Sequence, residues 1–233
     1  MYAFDIETGP LPKDVVLAQF DPKKVALGNT KDPVKVEAKI AEARQKHLDK
    51  AALSPATGKV LAVGWKPLDA ATGPAFIIGE TRLFPGEPIQ SPDQLPDEKE
   101  NLERFWEFAS VAIEEDRQLV GFNIFGFDIP FLATRSWVND VKVPDFVFDA
   151  HNYPNPYYFI DLAVVYQCGN RQRTITQDGL AKMLGVGCKT KGMNGGDFAG
   201  LWLGTPEEHE QAAAYAINDV LLIANCADKM QIF

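Results

Sequence analysis

Residues 2–7 read Tyr2-Ala3-Phe4-Asp5-Ile6-Glu7. An extended strand alternates its side chains with period two, so Asp5 and Glu7 share one face while Phe4 and Ile6 share the other. Two carboxylates held this close repel each other and resist burial unless a cation sits between them. The stretch therefore reads as an apolar strand carrying paired acids, and it points to metal-dependent chemistry.

Working outward, Lys59 to Trp65 is a β-branched run expected to be a buried strand, with Ala75 to Gly79 as its antiparallel neighbour. Between the first two strands, residues 34–53 are rich in Ala, Lys and Glu, with Val36, Ile40, Ala43, His47 and Ala51 on one stripe, which predicts a helix. Residues 10–56 are accordingly an insertion, and His47 belongs to an amphipathic helix face rather than to a metal. Proline-rich residues 84–97 read as a surface loop, followed by a helix over 98–115, a short strand at 119–122 and a helix from Ile129. Residues 139–156 read as loop, and 157–165 fit either a strand or a helix. Thr176 to Leu184 is a helix stopped by Gly185, residues 185–196 are a glycine-rich loop, and Pro206 to Lys229 is a long helix. Strands followed by alternating helices and strands imply an α/β protein, a mixed central sheet flanked by helices, in a single domain over 1–233.

Composition narrows the class. The 233 residues are 46% hydrophobic and 24% charged, an ordinary globular balance. No apolar run approaches the ~20 residues that span a bilayer, and no basic n-region precedes an apolar stretch at the N-terminus. The expected location is the cytoplasm. Cys168, Cys188 and Cys226 form no C-x-x-C pair and are read as free thiols. A net charge of -9 argues against a passive nucleic-acid coat. Yet Arg171, Arg173, Lys182, Lys189 and Lys191 face only Asp178 within their stretch, a local +4 suited to a phosphate backbone.

Two further acids complete the pattern. Asp128 follows the strand at 119–122 by a short glycine-bearing turn, where open sheets place their sites, although an Asp before Ile129-Pro130 is also a natural helix cap. Tyr215 and Asp219, at i and i+4 on the last helix, share a face set among apolar residues.

Taken in order, Phe4-Asp5-Ile6-Glu7-Thr8, then Asn123 with Phe127-Asp128-Ile129-Pro130-Phe131-Leu132, then Tyr215-Ala216-Ile217-Asn218-Asp219, the chain resembles the DEDD exonucleases. The subclass is the one with Tyr in its third motif, and the likeness is to the proofreading domain of family B DNA polymerases and its stand-alone and phage-encoded relatives. The resemblance implies a ribonuclease H-like fold and 3′-to-5′ exonuclease activity releasing nucleoside monophosphates from single-stranded ends. It implies Asp5, Glu7, Asp128 and Asp219 as ligands of two divalent cations, Mg²⁺ or Mn²⁺, with Tyr215 orienting the attacking water. Carboxylate oxygens suit both ions, and a pair of them clamps the attacking and leaving oxygens of a phosphodiester. Thr8, Asn123 and Phe127 match positions near the terminal nucleotides, and Arg171, Arg173, Lys189 and Lys191 are candidates for the backbone. The implied partner is nucleic acid, single-stranded DNA first, with replication or repair proteins alongside. Only 14 residues follow Asp219, so a free-standing nuclease or a subunit is expected. The competing expectations are an RNA exonuclease of ribonuclease D type, a catalytically silent binding module, and a structural calcium site.

Overall fold

In the computed structural model, which describes residues 1–68, 75–78, 97–148, 154–190 and 195–232, the alternation at the N-terminus becomes strand β1, Tyr2–Pro10. β1 lies at the centre of a five-stranded sheet of order β3-β2-β1-β4-β5. It pairs antiparallel with β2 (Gly58–Pro67) and parallel with β4 (Leu119–Gly121). β3 (Phe76–Ile78) adds antiparallel to β2, and β5 (Phe159–Asp161) adds parallel to β4. Register runs unbroken from Tyr2 opposite Pro67 to Glu7 opposite Ala62, then shifts so that Thr8 faces Val60. Leu61 is the extra residue of a bulge, placed directly beside the paired acids.

The two faces of β1 bury different helices. Phe4 and Ile6 join Leu102, Phe105 and Trp106 of α3 (Glu98–Glu114) and Ile129, Phe131 and Leu132 of α4 (Asp128–Val138) in one core. On the opposite face Ala3 packs with Leu180 of α6 (Gln177–Leu184) and with Val220 and Ile223 of α8 (Pro206–Lys229). Leu61 and Ala62 continue that second face against Phe198 and Trp202 of α7 (Gly195–Trp202). α8 begins with a full capping box between Thr205 and Glu208 behind Pro206, so its start is fixed by sequence chemistry. Ala212, Ala213 and Ala216 let it approach the sheet closely.

Between β1 and β2 the chain detours through α1 (Lys13–Ala18), α2 (Pro33–Asp49) and short 3₁₀ turns. Val36, Ile40, Ala43 and His47 form the half-buried side of α2, but the helix expected over 34–53 ends at Asp49 and Ala51 is buried in the 3₁₀ turn that follows; His47 places Nε2 3.0 Å from the Val16 carbonyl, a structural contact. The ambiguous segment 157–165 divides: β5 ends at Asp161, which caps α5 (Leu162–Gln167) by accepting from Ala163 N at 2.9 Å. The expected glycine-rich loop over 185–196 is corrected at its end. Gly195 and Gly196 form the first turn of α7, because Phe198 and Trp202, at i and i+4, bury together beneath α8. Lys191 and most of the proline-rich stretch at 84–97 lie outside the described residues. All three cysteines are free thiols, and no helix among the described residues is long and apolar enough to cross a membrane.

One buried ion pair ties three elements to the base of the detour. Arg135 on α4 donates to Glu98 through Nε at 2.8 Å and Nη2 at 2.5 Å, and through Nη1 to the Pro55 carbonyl at 3.1 Å. Glu98 in turn accepts from Val60 N at 2.8 Å. Removing one partner strands the other charge in the interior. Arg135→Ala is expected to cost about 3–5 kcal/mol of stability in urea denaturation, and more than the double change Glu98→Leu with Arg135→Met.

Candidate active site

The acids converge on one cleft of about 820 Å³ whose walls include Asp5, Glu7, Asp128, Tyr215 and Asp219. β1 delivers Asp5 and Glu7 from the sheet, and α8 delivers Tyr215 and Asp219 one helical turn apart. Gly64 explains how the helix comes so near. It pairs across the sheet with Asp5, and a Cβ there would lie 2.7 Å from Val220 Cγ2, next in sequence to Asp219. Oxygens of Asp5, Glu7 and Asp219 all lie within 4.8 Å of one another. Asp128 stands just outside this trio. It sits inside the first turn of α4 without capping it, and its Oδ1 accepts from Ile6 N at 3.2 Å, which docks the second motif onto β1.

Burial and mutual repulsion both oppose ionisation here. Glu7 is pushed up to about 8 from an ordinary 4.5, first by burial and then by Asp219. Asp128 is pushed up to about 7 from 3.8, again first by burial. Asp5 is raised well above its ordinary value by burial, then by Asp128 and Glu7, and Asp219 is also raised, mainly by burial. Tyr215 moves upward as well, through burial and the negative field of Asp219, so its phenol stays neutral across the physiological range.

One positive charge enters the cluster from the protein itself. Lys189 Nζ donates to Asp219 Oδ2 at 2.6 Å and lies 5.8 Å from the Tyr215 ring centre. Burial works against this ammonium, but the attraction of Asp219, with Asp5 and Glu7 behind it, outweighs burial and raises its pKa. The backbone of Lys189 is held by Asp178, which accepts from its N at 2.8 Å. One lysine does not complete the site. Asp219 Oδ1 is buried without a hydrogen-bond partner among the described residues, an arrangement that costs free energy unless a ligand takes it up. An all-oxygen set of clustered carboxylates with an unsatisfied buried oxygen fits a hard divalent cation such as Mg²⁺ or Mn²⁺.

The remaining candidates separate by position. Asn123 (φ +59°), Phe127, Thr8 and Arg173 line the cleft, although the Thr8 hydroxyl is engaged with the Ala52 carbonyl at 2.8 Å. Arg171 is exposed and is not among the residues lining it. Several positioning residues escaped the sequence reading. Asp161 accepts from Asn123 N at 2.8 Å and Phe125 N at 3.0 Å, clamping the turn that presents Asp128. Gln177 donates to the Asp219 carbonyl at 2.8 Å, fixing α8 at its acid. Asp161 followed by Leu162 carried only a helix-cap signal, and Gln177 carried none.

The sequence model of one family, described as predicted 3′-5′ exonucleases related to the exonuclease domain of PolB, matches residues 86–223. That stretch takes in Asp128, Tyr215 and Asp219 and starts after Asp5 and Glu7. Among solved structures, the family B DNA polymerase of the hyperthermophilic archaeon Pyrobaculum calidifontis aligns with a TM-score of 0.55 at 17% identity. The alignment covers 99% of this chain and 24% of the polymerase, so the chain spans about a quarter of that protein's length. The shared fold is ribonuclease H-like. No curated protein matches the chain. With the match covering more than half of its residues, the chain belongs to the family of predicted 3′-5′ exonucleases related to the exonuclease domain of PolB.

Proposed function

We propose that this protein is a 3′-to-5′ exonuclease that hydrolyses the terminal phosphodiester of single-stranded DNA and releases nucleoside 5′-monophosphates. The observation that carries this reading is the trio of carboxylates within 4.8 Å, together with the unpartnered Asp219 Oδ1. Asp5, Glu7, Asp128 and Asp219 would hold two divalent cations. Such ions, when bound, polarise the scissile phosphate and supply hydroxide at neutral pH.

The protein's own groups account for the rest. Tyr215 keeps its proton, so it acts as a hydrogen-bond donor that orients the attacking water and not as a base. Lys189, already charged inside the cleft, offers its ammonium to a non-bridging phosphate oxygen, where negative charge grows along the reaction. Phe127 gives a terminal base an apolar face at the wall, while Asn123 and Arg173 offer donors to the nucleotide. DNA is preferred to RNA because the family is related to a polymerase exonuclease domain.

Digestion of 5′-labelled single-stranded DNA with Mg²⁺ or Mn²⁺ should produce a ladder shortening from the 3′ end. Faster loss of a matched RNA would overturn the DNA preference. Asp5→Asn should lower the rate by at least ~10²-fold. In EDTA the same variant should melt at a higher temperature than the wild type, since the cost of burying an acid beside Glu7 and Asp128 is gone. Tyr215→Phe should retain measurable activity and leave the pH profile unmoved, because a phenol titrating far above neutrality sets no limb of it.

The raised acids also predict how stability follows pH. An acid whose folded pKa exceeds its unfolded value binds more protons in the native state, so its contribution is present at low pH and is lost as pH rises. With Glu7 at about 8 and Asp128 at about 7, the metal-free protein should lose stability from the ordinary carboxylate range up to pH 8. Cation binding requires the ionised forms and displaces those protons. The rise in melting temperature on adding Mn²⁺ should therefore be larger at pH 8 than at pH 5.5, as read by calorimetry.

A further inference from the structure

The detour between β1 and β2 has a charge opposite to the rest of the chain. Residues 11–57 hold nine basic and six acidic side chains, a net +3, whereas the whole chain carries -9. The excess is not spread evenly. Lys35, Lys39 and Lys46 on α2, with Lys50 at its C-cap, fall within a stripe about 60° wide at 3.6 residues per turn. Lys39 is used internally, donating to the Leu27 carbonyl at 2.8 Å. Lys46 meets Glu42 at 2.6 Å, but both side chains are about two-thirds exposed (66% and 63%), so the pair is weak and a phosphate can compete for it. Lys24, Lys35 and Lys50 form no ion pair among the described residues.

The stripe borders a groove. A cavity of about 470 Å³ lies between α2 and the preceding 3₁₀ turn, lined by Lys24, Lys46 and Lys50 against one acid, Asp21, with Phe20 beside them. At Lys50 its lining is next in sequence to that of the catalytic cleft. Lys50 lines this groove, while Asp49, Ala52 and Leu53 line the cleft that holds the carboxylates. The junction is rigid: Thr8 donates to the Ala52 carbonyl and Thr57 to the Ala51 carbonyl, each at 2.8 Å. Leu53, 63% exposed, stands at the lip.

We infer that α2 is a backbone-tracking arm: a single nucleic-acid strand whose 3′ end lies among the carboxylates passes over Asp49 and Lys50, and its phosphates follow the α2 lysines through the groove. From Lys35 to Lys50 the stripe is about 22 Å long, which spans roughly six phosphates of one stacked strand. The arm therefore contacts nucleotides on the 5′ side of the scissile bond. It reads charge and not sequence, and it allows the strand to advance after each cleavage without full release. This inference rests on the exonuclease reading for the polarity of the strand, but not for the contact itself.

The test compares wild type with the triple variant Lys24→Gln, Lys46→Gln, Lys50→Gln. Binding of a fluorescein-labelled 30-nucleotide oligo(dT) is measured in EDTA across salt, separately from its hydrolysis in Mn²⁺. Loss of three phosphate contacts should reduce the slope of log affinity against log salt by about 2, and raise KM for the 30-mer about tenfold near 0.1 M salt. Turnover of a dinucleotide, too short to reach the arm, should be equal in the two proteins. An unchanged slope and KM would overturn the inference and leave the stripe to an acidic protein partner. If wild type cleaves nothing and the slope still falls, the exonuclease reading is lost and the arm stands.

Discussion

The rest of this structure depends on the burial of a cluster of acids at the junction of β1 and α8, which their mutual repulsion makes costlier for Asp5 and Glu7. Bringing Asp5, Glu7 and Asp219 within 4.8 Å, with Asp128 docked alongside, sets burial and charge against each other at every member. A protein core ordinarily avoids such a cluster, because an isolated buried carboxylate either neutralises or destabilises the fold. Here the cost is met by a central strand paired on both edges, by a capped 24-residue helix, and by hydrogen bonds that leave the acids little room to part. Lys189 supplies one compensating charge from within, and a divalent cation is the natural supplier of the rest.

This tension explains why so many hydrogen bonds support the acids from behind. Asp161 clamps the Asn123–Phe125 turn through two backbone donors, and Gln177 grips the carbonyl of Asp219 itself. Asp178 fixes the backbone of Lys189 and pairs with Lys182 at 2.5 Å. None of these side chains is needed to meet a phosphate. Each restricts where a repelled charge can go, which is how a cluster of acids keeps a single geometry.

Much of this was legible in the sequence, for local reasons. Alternation placed Asp5 and Glu7 opposite Phe4 and Ile6, and i, i+4 spacing placed Tyr215 with Asp219. Pro206 at one helix start and Gly185 at another helix stop marked ends that match the structure. What remained hidden depends on distant partners. The 157–165 run fitted both periods because it contains both a strand and a helix, joined at Asp161. Glycines suggested a loop up to residue 196, whereas the burial of Phe198 and Trp202 under α8 draws Gly195 and Gly196 into a helix. Gln177 acts on Asp219 from 42 residues away, a relation that no local pattern encodes.

The bulge at Leu61 has a meaning of its own for how such a protein diversifies. A one-residue slip in a sheet turns every side chain to the other face, so a site built on strand alternation is vulnerable to length changes in the connection leading into it. Leu61 lies between the arm and the stretch of β2 that faces Asp5 and Glu7, and the ladder beyond it is continuous from Ala62 to Pro67. The long connection is thus insulated from the register that faces Asp5 and Glu7. A change in the length or charge of residues 11–57 is absorbed before Ala62, and the two acids of β1 keep pointing into the same cleft.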